Sequence, residues 1–354
     1  MTRAPAELDT APETPFLRRL ITLADKTRWS IDEIDPAPVS DGEYEPILSH
    51  FGFESSGYVR ALRRADRERL ARQLVAHNYS QIWHGEQAAL VLAASLASHI
   101  EDLEARIFAA QQAGDEARHV LAVRRIVDRL GPVYPCTPRF QETLDALLAC
   151  ETWPKQVLGL QLFVEAKALF EFRTHALLIR DAVFVQATEN IQRDESRHVA
   201  FGVQYLKEHL REMTAEARED LVSYAMQLAA IFASLVHQSD YRAVFDEAGL
   251  DFDRAVAPSR VVSPPSARIA SAHATLSLLQ QSFERWFLRT LCRVGLADAI
   301  RRAGYEVPRA DTFDGSGRAA PESQGGMKSK GRGAPANLAE EAGGAHPWDL
   351  AEQM

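Results

Sequence analysis

Only three cysteines occur in 354 residues, Cys136, Cys150 and Cys292, and no two of them form a Cys-x-x-Cys pair. That excludes a disulfide framework and a zinc-ribbon pattern, and it fits a reducing cytoplasm. Long apolar runs are missing as well. The longest, Ala88 to Ala97, covers ten residues and includes Ser95. A bilayer-spanning helix needs about 20, so no membrane association is expected. The first twenty residues lack a continuous apolar stretch, which argues against a signal peptide. Positive charge is not in excess: the net charge of −9 weighs against nucleic acid as a partner. No G-x-G-x-x-G stretch is present, so nucleotide binding is set aside. Alternating strand patterns of useful length are absent too.

What remains is helical. Apolar residues make up 46% of the chain, enough for a substantial core. From about 65 to 249 the sequence is rich in Ala, Leu, Glu, Arg and Gln, and its only prolines are Pro132, Pro135, Pro138 and Pro154. Helices are predicted over 66–97, from a Ser98–Glu101 capping box to Gly131, over 140–150, from Trp153 to 180, from an Asp181 cap to 211, and from a Thr214 cap to about 248. A further helix is expected over 267–296. The expected organisation is an irregular N-terminal segment (1–60), a helical bundle (61–250), a connector with a C-terminal helix (251–311), and a disordered Gly/Ser/Ala/Pro-rich tail (312–354).

One motif is written twice. Asp115-Glu116-Ala117-Arg118-His119 recurs as Asp194-Glu195-Ser196-Arg197-His198. Residues i and i+3 share a helix face, so Glu116 projects with His119 and Glu195 with His198. Glu86 and Glu165 lie in apolar surroundings upstream. Glu86 precedes Glu116 by 30 positions and Glu165 precedes Glu195 by 30, while Glu86–Glu165 and Glu116–Glu195 are both 79 apart. The pattern is an internal repeat of a helix pair, each unit carrying Glu and then Glu-x-x-His. Packed antiparallel, the four helices bring four carboxylates and two imidazoles to one depth, a donor set for two ions. Oxygen and imidazole donors without thiolate suit iron or manganese.

This constellation, over roughly 66–212, resembles the ferritin-like di-iron carboxylate proteins, where one Glu from each of two helices joins Glu-x-x-His from each of the other two. The resemblance implies an all-α, ferritin-like four-helix bundle with extra flanking helices. It implies two iron ions, with manganese compatible with the same donors, held by Glu86, Glu116, His119, Glu165, Glu195 and His198. It also implies that each Asp holds the histidine of the opposite motif, Asp115 with His198 and Asp194 with His119. Arg118 and Arg197 would pair with these aspartates.

Within that superfamily the doubled motif looks like the oxygenases: monooxygenases, acyl-carrier-protein desaturases and arylamine N-oxygenases. The activity expected is therefore O2-dependent hydroxylation, N-oxygenation or desaturation of a small organic substrate in an apolar pocket. Trp83, Leu90, Ala109, Ala113, Leu162, Leu169, Phe172 and Ile191 are the expected lining, with Gln112, Gln161 and Gln192 as polar neighbours. Electrons would come from a reductase or ferredoxin, and the chain could form a homodimer. Two alternatives are iron storage and a ribonucleotide-reductase small-subunit role. The extra helices weigh against the first. Against the second stands Val123, where that subunit carries its radical tyrosine. Arylamine N-oxygenases carry an additional His one turn before the second Glu-x-x-His, where this chain has Ile191, and multicomponent hydroxylases often place a Thr where it has Leu169. These departures point to a divergent, single-component member.

Overall fold

The computed structural model describes residues 14–34, 43–233, 238–257 and 286–305. Helix α1 (Pro15–Lys26) precedes two short helices, Ile47–His50 and Gly57–Ala61. The bundle proper is α2 (Arg64–His99), α3 (Leu103–Leu130), α5 and α6 (Ala182–His209), with α4 (Pro138–Leu148) across one side. Helix α5 spans 153–178 in three parts: Trp153–Val157, a π-helical segment Leu158–Glu165, and Ala166–Leu178. Helix α7 (Ala215–Ala233) follows, and a C-terminal piece ending in Ala297–Arg302 closes the described chain. No β-strand occurs among the described residues, and no helix among them is long and apolar enough to cross a membrane.

The boundaries have local causes. Asp102 caps α3 by accepting from the Ala105 backbone N–H at 2.7 Å. This corrects the expected Ser98–Glu101 box: α2 extends through His99, and the Ser98 hydroxyl instead donates to the Ser95 carbonyl at 2.7 Å. Asp181 caps α6 as expected, accepting from Val183 and Phe184 N–H, and it also binds Arg129 and the Tyr44 hydroxyl. Each such cap contributes about 1 kcal/mol. Helix α2 buries residues around most of its circumference, from Leu70 to Leu96, as a central rod must.

Other expectations need correction. The N-terminal segment is not irregular throughout: Leu17 and Leu20 of α1 are buried in the same core as Phe108, Val199 and Trp286. The single helix expected from Thr214 to about 248 is described over Ala215–Ala233; beyond 234–237, which lie outside the described residues, a 3-10 turn (Gln238–Tyr241) and a separate helix (Arg242–Glu247) replace its expected end. The expected 267–296 helix falls outside the described residues as far as 285; beyond that, 286–291 is helical and Cys292–Leu296 is π-helical. The tail from 312 lies wholly outside them.

Two glycines set how closely the bundle closes. A Cβ on Gly202 of α6 would stand 2.5 Å from the Gln161 Cβ. One on Gly159 would stand 2.6 Å from Leu147 Cδ2 and 2.8 Å from the Tyr224 hydroxyl. Without side chains here, α6 presses directly on the π segment that carries Gln161 and Glu165.

Candidate metal centre

The six acidic and imidazole residues singled out by the repeat come together in the middle of the bundle, and all six are buried. They fall into two groups whose donor atoms could each hold one metal ion: Glu86, Glu116, His119 and Glu195; and Glu116, Glu165, Glu195 and His198. Glu116 and Glu195 belong to both. His119 Nδ1 lies 3.1 Å from Glu116 Oε2, 3.2 Å from Glu195 Oε1 and 3.6 Å from Glu86 Oε2. His198 Nδ1 lies 3.3 Å from Glu116 Oε1, 3.1 Å from Glu195 Oε2 and 3.7 Å from Glu165 Oε1. Each shared carboxylate thus turns one oxygen to each imidazole.

The donor set also fits by charge. Four carboxylates and two neutral imidazoles balance two divalent cations, so two ions would bring the buried cluster near neutrality. Without them, protons substitute. Burial pushes the Glu86 and Glu165 carboxyls up, with His119 and His198 respectively opposing the rise. Burial would lower both imidazoles. At His119 the Glu195 charge and bonds to Asp194, Glu116 and Glu195 outweigh it; at His198 the Glu165 charge and a bond to Asp115 do so. Both rings are held well above their ordinary value. Metal uptake must therefore displace protons. Glu165 Oε2 is buried without a hydrogen-bond partner, a further vacancy that an ion satisfies.

The far nitrogens are held crosswise. His119 Nε2 meets Asp194 Oδ2 at 3.2 Å, and His198 Nε2 meets Asp115 Oδ2 at 3.1 Å. Arg197 joins the two aspartates, donating to Asp194 Oδ1 at 2.8 Å and Asp115 Oδ2 at 2.7 Å. Arg118 pairs closely with Asp115 and lies 3.9 Å from Asp194. Burial opposes ionisation of both aspartates, but bonds to His198 and His119 and the Arg197 charge prevail, keeping them below the usual carboxylate range. With Nε2 bound to a carboxylate, each ring offers Nδ1 inward.

Sequence reasoning missed Trp29. Its indole N–H donates to Asp194 Oδ2 at 2.8 Å, and its ring stacks on His119 with centroids 6.3 Å apart. It follows α1, in a stretch with no motif. Gln112 and Gln161, named only as neighbours, are fully buried and form a chain. Gln112 Nε2 donates to Glu116 Oε1 at 3.3 Å and to Glu165 Oε1; Gln161 Nε2 donates to Gln112 Oε1 at 3.0 Å.

Of the expected lining, Ala109, Leu162, Leu169, Phe172 and Ile191 are buried, whereas Leu90, Ala113 and Trp83 are half-buried, Trp83 beneath Arg124 at 5.2 Å. Gln192 is half-buried and Glu189 exposed. His84 turns away from the centre to the Tyr134 carbonyl, 3.1 Å distant. His209 packs on Tyr205 and Trp153 at the end of a ring file that reaches His198 through Phe201 and Phe108.

The structure is similar to two solved structures of R2-like ligand-binding oxidase. One has an aerobically reconstituted Mn/Fe cofactor (TM-score 0.51, 17% identity, covering 80% of this chain and 94% of that one). The other is a tyrosine-to-phenylalanine variant with an anaerobically reconstituted Mn/Fe cofactor (TM-score 0.51, 16% identity, covering 80% and 95%). At such identity the likeness establishes the shared ferritin-like fold. No curated protein sequence matches the chain. The family model "P-aminobenzoate N-oxygenase AurF" matches residues 60–281, more than half of the chain. Ile191, which set the chain apart from the arylamine N-oxygenases by sequence, does not remove it from them: the position is a buried apolar one beside a centre already furnished with two imidazoles. The chain belongs to the AurF N-oxygenase family and is a dioxygen-dependent di-iron oxygenase.

Proposed function

We propose that the protein N-oxygenates a primary aromatic amine, converting it with O2, two electrons and two protons into the hydroxylamine and water. The metal pair is iron, held by Glu86, Glu116, His119, Glu165, Glu195 and His198. Glu116 and Glu195, common to both donor groups, would serve both ions, and Glu86 and Glu165 would serve one each. The observation carrying this reading is that two four-residue donor groups share two carboxylates inside one buried cluster.

Bound iron supplies the two-electron reduction of O2, and the chain's residues prepare its surroundings. Asp194 and Asp115 hold the imidazoles so that Nδ1 faces inward, and Trp29 and Arg197 hold the aspartates. Gln112 donates to both Glu165 and Glu116 and so fixes their orientation toward each other. Buried Ala109, Leu162, Leu169 and Ile191 exclude bulk water from the amine. Electrons come from a reductase or ferredoxin partner in a reducing cytoplasm, and a homodimer is the working assembly.

The test is direct. Protein loaded anaerobically should hold about two irons per chain, and with reductant, 18O2 and p-aminobenzoate it should yield one labelled oxygen on nitrogen by mass spectrometry. Label on ring carbon, or none on any arylamine offered, would refute the reading.

A further inference from the structure

Gln161 ends the amide chain beside Glu165, and its Oε1 is buried without any hydrogen-bond partner. The orientation follows from donors and acceptors. Gln112 faces two carboxylate oxygens, so only its NH2 end can turn to them. Its Oε1 therefore points to Gln161 and demands a donor, which is the Gln161 NH2. That leaves Gln161 Oε1 as a fully enclosed acceptor, one amide removed from Glu165 and Glu116. A buried carbonyl without a donor is costly, and native proteins rarely leave one empty.

The side chain has little freedom to solve this by moving. Gln161 sits in the π segment Leu158–Glu165, a widened turn of the kind found at functional sites. Gly202 lets α6 press against its Cβ from behind. Gln161 Oε1 is thus an unpaired buried acceptor on the Glu165 side of the centre.

We propose that Gln161 Oε1 accepts an N–H of the substrate amine, selecting substrates that present a donor next to the Glu165 half of the centre. The inference rests on the N-oxygenation reading and adds the residue that reads the amine. A site built to bind an N–H rejects an isostere lacking it, because its acceptor is then stranded.

The test compares p-aminobenzoate with p-methylbenzoate, in which a methyl replaces the amine. Dissociation constants are measured on the iron-loaded full chain without oxygen. Native protein should prefer the amine by roughly tenfold. Gln161→Met should bind both equally. Iron content and melting temperature confirm that the variant folds. An undiminished preference in Gln161→Met, or no preference in the native protein, overturns the inference: the amide then holds only water. N-oxygenation is judged separately, by whether native protein forms labelled hydroxylamine.

Discussion

Around His119 the distinctive supporting group comes from outside the repeat: Trp29 stacks on the ring and donates to Asp194, and its indole centroid lies 5.9 Å from Arg118 of the repeated motif. Around His198 they come from within the bundle: Phe108 meets the ring edge-on at 6.2 Å, and the Gln161–Gln112 chain ties down Glu165. The ligand geometry is nearly the same in the two halves and the surroundings are not. A repeated helix pair explains the first, since equal offsets place equal residues at equal depth. The second reflects different duties. An indole closes the His119 side, whereas the His198 side carries a π segment and an unoccupied acceptor.

The comparison breaks most decisively at the shared carboxylates. Glu116→Ala should empty both halves together, taking iron from about two per chain to near zero and abolishing oxygenation, as metal analysis would show. Glu86→Ala or Glu165→Ala should remove only one ion; equal loss in all three variants would contradict the bridging assignment.

Acid sets the window in which the halves can be compared. Burial presses His50 and His77 down to about 4, with Glu171 and Asp240 respectively acting against it. In the unfolded chain these imidazoles titrate near about 6.5. Their contribution is therefore present above that pH and is lost as pH falls toward 4, by on the order of 3 kcal/mol for each group. Melting temperature should drop through this range, and His50→Gln should flatten the drop; an unchanged slope would refute it.

Smaller effects sharpen the contrast. Asp194→Asn and Asp115→Asn should each weaken iron binding about 10–100-fold, the first chiefly in the His119 half and the second in the His198 half. Gly202→Ala should destabilise the fold by about 1–3 kcal/mol, because the added methyl meets Gln161. Chemical denaturation would read it, and a neutral outcome would mean the π segment yields easily. Trp29→Phe keeps the stacking and removes one N–H, which should cost about 1 kcal/mol and leave the Glu165 half untouched.

The six clustered carboxylate and imidazole positions were legible because helical spacing and a 79-residue repeat both point at them. The crosswise Asp–His pairs came from family resemblance. Trp29 was not legible: it lies in a non-repeating segment, and only the tertiary fold brings it to Asp194. The π segment reads in sequence as any apolar helix, although Gly159 and Gly202, placed in helices without a turn to justify them, hint at close approach. Ser98 and Asp102 are both good caps, and the choice fell to Asp102 because α2 keeps Ser98 in its last turn.

The central claim is tested most directly by anomalous diffraction at the iron edge from crystals of the loaded protein. The account predicts two peaks inside the bundle, one against Glu86 and His119, the other against Glu165 and His198, with Glu116 and Glu195 touching both. A single peak, or peaks lying outside this cluster, would contradict it.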